Sequence, residues 1–418
     1  MYNYIKEILE IKDKNIEITG EIRKEKIKGQ TTFVVEGKLT YDIEYCPCCG
    51  CKNEKHTVIK DGFLNTEIKM LRISEKPTKL KLKKQRYKCK NCERKFTAET
   101  KIVDKYCQIS KILKVTVLSN LKEIKSNKTI AKEQYISEST VIRILQGARK
   151  YLETNKYKNL PEYLCFDEIK STKDAENKMS FVYADAQTGN LIDIVDGRTY
   201  KKLKNYFIAI PRNIRKKVKT ICIDIYPPYM KLIKEIFPKA EIIIDRFHIV
   251  QNINREFNKY RIQLMNKFKN KERHIYTKLK IYWRLLLKEY SEINYQKTHY
   301  SRTFGRTVSN KEVLDYILSI DQILANNYKI MQEIRYALKT RNIELFKETI
   351  DNSENTYSKG MSKAIKTIKK YEDYMVNSLR YNYSNGVLEG INNKIKLIKR
   401  VSYGYSSFYN FRLRILIV

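Results

Sequence analysis

The chain has 418 residues, with 84 Lys and Arg against 47 Asp and Glu, giving a formal net charge of +37. That length exceeds one ordinary domain. The positive excess is spread along the whole chain rather than gathered in a tail, which excludes an acidic or neutral surface and implies a polyanionic partner, most economically nucleic acid.

No apolar run approaches the roughly 18 residues of a membrane-spanning helix, and the start Met1-Tyr2-Asn3-Tyr4-Ile5-Lys6-Glu7 lacks a signal-peptide core. The chain is expected to be soluble and intracellular. Nine cysteines are too few for a disulfide scaffold in a chain of this size, so their spacing carries the information. Cys46-Pro47-Cys48-Cys49-Gly50-Cys51 and Cys89-Lys90-Asn91-Cys92 contain Cys-x-x-Cys steps, the spacing at which one tight turn offers two thiolates to one tetrahedral zinc. Cys46, Cys49, Cys89 and Cys92 are the expected ligands of one structural Zn2+, because Pro47 and Gly50 then take the usual turn places; the register using Cys48 and Cys51 stays open. Four thiolates leave no position for water. Residues 50–88 between the knuckles exceed the roughly 15–20 of the usual spacing, so strands from Val58–Phe63 and Lys79–Tyr87 must form an enlarged hairpin. Residues 1–98 are thus expected to be a zinc-ribbon-like module.

In residues 99–158 apolar side chains recur at helical spacing, as in Ile112, Val115, Leu118, Leu121 and Ile124. A short helix containing Ala131, a turn near Tyr135-Ile136 and a second helix capped by Ser137 fit a helix-turn-helix. Glu138, Ser139, Thr140 and Arg143 would then face the major groove. An αα-hairpin that only packs between domains has the same pattern.

From residue 159 to 250 the pattern changes to strands. Tyr163–Ile169, Met179–Ala186 and Leu191–Val195 are followed by a helical stretch near Leu203–Ile208, a buried strand Val218–Asp224, a helix opened by Pro227-Pro228, and a last strand Ala240–Ile244. The order βββαβαβ matches a ribonuclease-H-like α/β core. Asp167 and Asp224 each follow a short apolar run, and Glu389 sits far away in the polar segment Ser384–Gly390. Carboxylates that end buried strands are costly to desolvate, and three of them are compatible if they converge on divalent cations. Glu168 points to the opposite face from Asp167. Asp185, Asp193 and Asp196 read as turn or surface acids, and Asp245, which ends a third apolar run, reads with His248 as a neighbour of the metal or a DNA-positioning group.

Asp245-Arg246-Phe247-His248, the zinc and helical arms upstream, the run Leu388-Glu389-Gly390-Ile391-Asn392-Asn393-Lys394-Ile395-Lys396 and the closing Val401-Ser402-Tyr403-Gly404-Tyr405 together resemble the ISL3 family of insertion-sequence transposases, over nearly the whole chain. The resemblance implies a DDE assignment of Asp167, Asp224 and Glu389. It also implies an all-helical insertion at residues 251–380 and a final catalytic segment at 381–418, making the chain a multidomain α+β protein. Two Mg2+ or Mn2+ ions about 3.5–4 Å apart would serve hydrolysis at transposon ends and joining of the 3′-hydroxyl to target DNA. Arg246, His248, Lys394, Lys396, Lys399 and Arg400 are placed to grip phosphates. Pairing two DNA ends implies a homodimer or larger assembly. Trp283 reads as a core residue of the insertion. Two other functions fit the same residues: an inert DNA-binding regulator, and a ribonuclease-H-like nuclease.

Overall fold

The computed structural model describes residues 3–27, 29–153, 159–351 and 356–418. These fall into two compact units, Met1–Glu153 with Ile395–Val418, and Thr154–Lys394. The boundary expected at residue 158 lies outside the described residues.

The first unit begins with a six-stranded sheet. Strands β1 (Ile16–Ile18), β2 (Arg23–Ile27), β3 (Gln30–Leu39), β4 (Val58–Lys69), β5 (Thr78–Cys89) and β6 (Lys95–Thr97) order as β1-β3-β5-β4, with β2 on β3 and β6 on β5. The two long strands β4 and β5 are the enlarged hairpin required between the cysteine knuckles, in a register that sets Val58 opposite Cys89. Along β5 the lysines alternate with Thr78, Leu80 and Leu82, which are buried. Their apolar face joins Ile16, Val35, Leu39 and Ile68 in one core that also takes in Cys46 and Cys89. A β-bulge between Lys60 and Phe63 holds Gly62 at φ +71°, a conformation only glycine adopts without strain.

Three helices follow, Lys111–Asn120, Asn127–Glu133 and Glu138–Gly147. Their starts are set by Ser110, Ser126 and Ser137, whose side chains accept the backbone N–H three residues on, for Ser137 that of Thr140 at 3.2 Å. Tyr135, at φ +54°, turns the chain between the second and third. Their shared core, Val117, Leu121, Ile130, Val141, Ile144 and Leu145, also contains Leu413 from the last helix, Phe408–Leu416. Arg414 on that helix is fully buried and donates to the carbonyls of Leu121, Glu123 and Lys125. It thereby satisfies acceptors left open where the helix Lys111–Asn120 ends. The segment 381–418, expected to belong wholly to the catalytic core, is therefore divided, and its part from Ile395 onward completes the first unit.

The second unit is built on strands β7 (Tyr163–Lys170), β8 (Met179–Asp185), β9 (Leu191–Asp196), β10 (Thr220–Ile223) and β11 (Glu241–Ile244). They order as β11-β10-β7-β8-β9. The first three form an antiparallel meander, and β10 and β11 add in parallel beside β7. With the helices Tyr200–Ile208 and Pro227–Ile236 between them, the element order is the βββαβαβ expected from the sequence. Leu164 and Phe166 point to a core shared with Phe181, Tyr183, Phe207 and Phe237. Phe166 meets Phe181 edge-on at 4.9 Å and stacks on Phe207 at 5.6 Å between ring centroids.

After β11 a 22-residue helix, Arg246–Lys267, leads into a mostly helical region in which Gln322–Thr340 and Lys359–Lys370 pack against it. This region is not all-helical. Strands β12 (Thr298–Ser301) and β13 (Arg306–Ser309) form a hairpin closed around Gly305; Thr, Tyr and Val in two four-residue runs make strands too short to interrupt a helical reading of the sequence. Trp283 also differs from expectation. It is 36 % exposed, with the Arg284 guanidinium 5.2 Å from its ring centroid, while Leu286 takes the buried position.

Candidate active site

The strand register gathers the acids. Thr220 of β10 pairs with both Tyr163 of β7 and Glu241 of β11. Four residues further along the three parallel strands stand Asp224, Asp167 and Asp245, so one row across the sheet carries three carboxylates. Neighbouring strands are about 4.8 Å apart, which brings like charges close in a partly dry place. Burial, with the Asp224 charge beside it, pushes the Asp167 carboxyl up to about 6. Burial raises Asp245 as well.

Each carboxylate is held by named donors. The Glu168 N–H and the Asn392 amide donate to Asp167 at 2.7 and 2.6 Å. Asn385 Nδ2 and His248 Nε2 both approach Asp224 Oδ1, at 3.1 and 2.9 Å. That hydrogen bond raises the His248 imidazole above its ordinary value. Asp245 caps the helix Arg246–Lys267 by accepting from Phe247 N at 3.2 Å. Ligand atoms of Asp224, Asp245 and His248 all lie within 4.8 Å of one another. Asp167 is outside that tight set, and acts on it through charge.

Glu389 lies on the helix Gly386–Val401 and its side chain is exposed. At about 100° per residue, Asn385, Glu389 and Asn392 fall within about 60° of one another, on the face whose two asparagines touch Asp224 and Asp167. Glu389 thus belongs to the side of the helix that meets the carboxylate row, without being among the acids that meet one another. Lys394, Lys396, Lys399 and Arg400 are all on this helix as expected, with Lys394 on the side opposite Asn385. Arg246 is half-buried in the first turn of its helix, near the charge of Arg341.

The competing acids separate clearly. Glu168 faces away from Asp167, pairs with Arg198 and accepts from Tyr229 at 2.8 Å. Asp185 caps the turn after β8 by accepting from Gln187 N. Asp193, expected near the surface, is instead fully buried and accepts from the Tyr206 hydroxyl at 2.5 Å; β9 runs inside the fold there, and a tyrosine hydroxyl supplies what solvent would.

In the first unit, Cys46, Cys49, Cys89 and Cys92 place their sulfurs within 4.8 Å of one another. Gly50, at φ +73°, closes the first knuckle with its N–H on the Cys46 carbonyl. The Cys51 backbone N–H holds the Cys49 thiol down to about 6 and the Cys92 backbone lowers Cys89, while burial raises Cys46 and Cys92. Cys48 is exposed and outside the group; Cys51 lies beside it, 3.5 Å from Cys89. On the third helix of this unit Ser139 and Arg143 are exposed and Thr140 partly so, over the buried Val141, Ile144 and Leu145.

Residues 164–415 match the family described as a transposase of the DDE, ISL3 type, which is more than half of the chain. The chain belongs to the ISL3 family of transposases. Residues 44–92 match the zinc finger of the transposases of IS204, IS1001, IS1096 and IS1165, and the four-cysteine cluster is accordingly a zinc-ribbon site. The transposase for insertion sequence element IS1001 of Bordetella parapertussis is 25% identical over 259 residues, covering 61% of this chain and 60% of that protein. A protein named ATP-dependent protease, from Lactococcus lactis subsp. lactis, is 34% identical over 124 residues, 30% of this chain and 40% of its own. The ISL3-family chain therefore spans less than two thirds of either relative. No helix among the described residues is long and apolar enough to cross a membrane.

Asn385 and Asn392 are the site residues that reading the sequence did not single out for contact with the carboxylates. The signal was present: they stand four residues before and three after Glu389, the spacing of one helix face.

Proposed function

We propose that this ISL3-family chain is a DNA transposase that binds the ends of its insertion sequence, hydrolyses DNA strands there and joins the liberated 3′-hydroxyl to target DNA. The observation that carries this is the row of Asp167, Asp224 and Asp245 on a β11-β10-β7-β8-β9 sheet of ribonuclease-H-like order, faced by the helix bearing Glu389. Three carboxylates in one row, with Asp167 and Asp245 raised by burial, fit a divalent cation, because a cation favours the charged form that burial disfavours. Asp167, Asp224 and Glu389 would hold it. When bound, Mg2+ or Mn2+ supplies Lewis acidity, polarising a phosphoryl oxygen and lowering the pKa of an attacking water.

The protein's own contribution is orientation. Asp167 is fixed between the Glu168 N–H and Asn392, and Asp224 between Asn385 and His248; carboxylates tethered in this way need no reorganisation when substrate arrives. Glu389, exposed on the same helical face, is the carboxylate able to approach once phosphate enters. Arg246, Lys394, Lys396, Lys399 and Arg400 supply positive charge for the DNA backbone, and His248 orients Asp224. In the first step a water oxygen bonds to phosphorus and the 3′ oxygen leaves. In the second that 3′-hydroxyl bonds to a target phosphorus and a target 3′ oxygen leaves. One phosphodiester forms for each that breaks, so the joining step needs no nucleotide cofactor.

Recognition of the ends falls to the first unit, where a helix-turn-helix would present Ser139, Thr140 and Arg143 to the major groove beside the zinc ribbon. The mostly helical region 251–380 adds basic surface for DNA, and the pairing of two ends calls for a dimer or larger complex. A strand-transfer assay with Mg2+ on a labelled transposon end tests the reading. Joined product is expected. Nicking without joining would point to a nuclease, and binding alone to an inert regulator.

A further inference from the structure

Asn385 and Asn392 do more than brace the carboxylates. Both are over nine-tenths buried, at 5 % and 7 % exposure. The Asn385 NH2 group is committed to two acceptors, the Phe166 carbonyl at 3.3 Å and Asp224 Oδ1 at 3.1 Å, and the Asn392 NH2 to Asp167 Oδ2 at 2.6 Å. Turning either amide over would set oxygen against oxygen, so the donors fix which way each amide faces. Each side-chain carbonyl oxygen is then left buried with no hydrogen-bond partner among the described residues. Leaving a buried acceptor unsatisfied is costly, and two such atoms on one helix face, one at each of two carboxylates, call for a common partner.

Within an amide, oxygen and nitrogen are roughly 2.2 Å apart, from the bond lengths of the group. Asn392 Oδ1 therefore lies within roughly 5 Å of Asp167, and Asn385 Oδ1 within a similar reach of Asp224. Neutral amide oxygens are ordinary ligands of hard cations and good acceptors for the waters such cations retain. We infer that Asn385 and Asn392 are cation-binding residues, each giving its side-chain carbonyl oxygen to the divalent cation or its water while its NH2 holds a coordinating carboxylate. This rests on the reading of the aspartate row as a cation site. It gives each asparagine one group for the protein and one for the ion, and it explains why two neutral residues flank Glu389: a neutral oxygen adds a ligand without adding to the repulsion already present in the row.

Mn2+ alone is the probe, titrated against the full-length protein with free ion read by electron paramagnetic resonance. Asn392→Leu and Asn385→Leu should each weaken Mn2+ binding by about 10- to 100-fold, the usual effect of removing a group that supports a metal site. Asn392→Asp keeps an oxygen for the ion but loses the NH2 that holds Asp167, so it should weaken Mn2+ binding less than Asn392→Leu does. A role limited to packing would not distinguish Leu from Asp in this way, and circular dichroism with a thermal melt of each variant reports that the chain is folded. Unchanged Mn2+ affinity in both Leu variants overturns the inference. Asp224→Ala separates the two levels: if it abolishes binding while the asparagine variants leave it intact, only the role of the asparagines fails, whereas unaltered binding in Asp224→Ala, or none in the wild type, removes the cation site as well.

Discussion

Asp167 is destabilising as a charged group and useful for that reason. Its carboxyl is pushed from 3.8 to about 6 by burial and by Asp224. Between those values the folded chain holds a proton that the unfolded chain has lost. Asp167 therefore contributes stability that is full below pH 3.8 and lost as pH rises through about 6. Thermal melts of cation-depleted protein should show this component declining across pH 4–6, and added Mn2+ should raise the melting temperature at pH 8 far more than at pH 5, where protons compete for the same oxygens. A Mn2+ effect independent of pH would disconnect the cation from Asp167. Asp167→Asn removes the charge and nearly keeps the shape, so at pH 8 without divalent ions it should stabilise the fold by about 3 kcal/mol, the worth of a shift of this size, while eliminating strand cleavage. Chemical denaturation and a cleavage assay read the two effects separately.

The elements differ in how well the sequence announced them. Cys-x-x-Cys spacing announced a zinc-binding module, because two thiolates in one tight turn suit one tetrahedral ion, while the choice between the 46/49 and 48/51 registers was left open by the sequence. Ser137 located the start of the helix Glu138–Gly147, because a side chain accepting the third N–H marks a helix start locally. What was not legible lay in contacts remote in sequence. Nothing in the alternation of β7, β10 and β11 reveals that Asp167, Asp224 and Asp245 fall in one row; that is a property of register, which neighbouring strands decide together. Trp283 and the β12–β13 hairpin were misread because short runs do not report which side of a region faces solvent. Two predictions belong to this scale. Cys46→Ser should lose one zinc per chain by plasma mass spectrometry, whereas Cys48→Ser keeps it, since Cys48 stands outside the sulfur cluster. Arg143→Ala on the exposed helix surface should cost about 1–3 kcal/mol of affinity for the transposon end, measured by gel-shift titration; equal affinity would remove that helix from recognition.

For the whole molecule, a net charge of +37 makes DNA affinity a strong function of salt, because neutralised phosphates release counterions. The logarithm of end-binding affinity should fall steeply and linearly with the logarithm of salt concentration, and a flat dependence would contradict a phosphate-gripping surface. The division into two units also shows how the chain distributes its tasks. The closing helix Phe408–Leu416 completes the core of the helices expected to read DNA, so truncation at residue 407 should impair end binding although Asp167, Asp224 and Glu389 all remain. The central claim, that carboxylates brought into register by a parallel sheet hold a divalent cation, is most directly tested by anomalous diffraction from a crystal soaked in Mn2+. The account predicts a peak bounded by carboxylate oxygens of Asp167 and Asp224, with Glu389 drawn to it. A peak held by Asp224, Asp245 and His248 without Asp167, or no peak at the row, would contradict it.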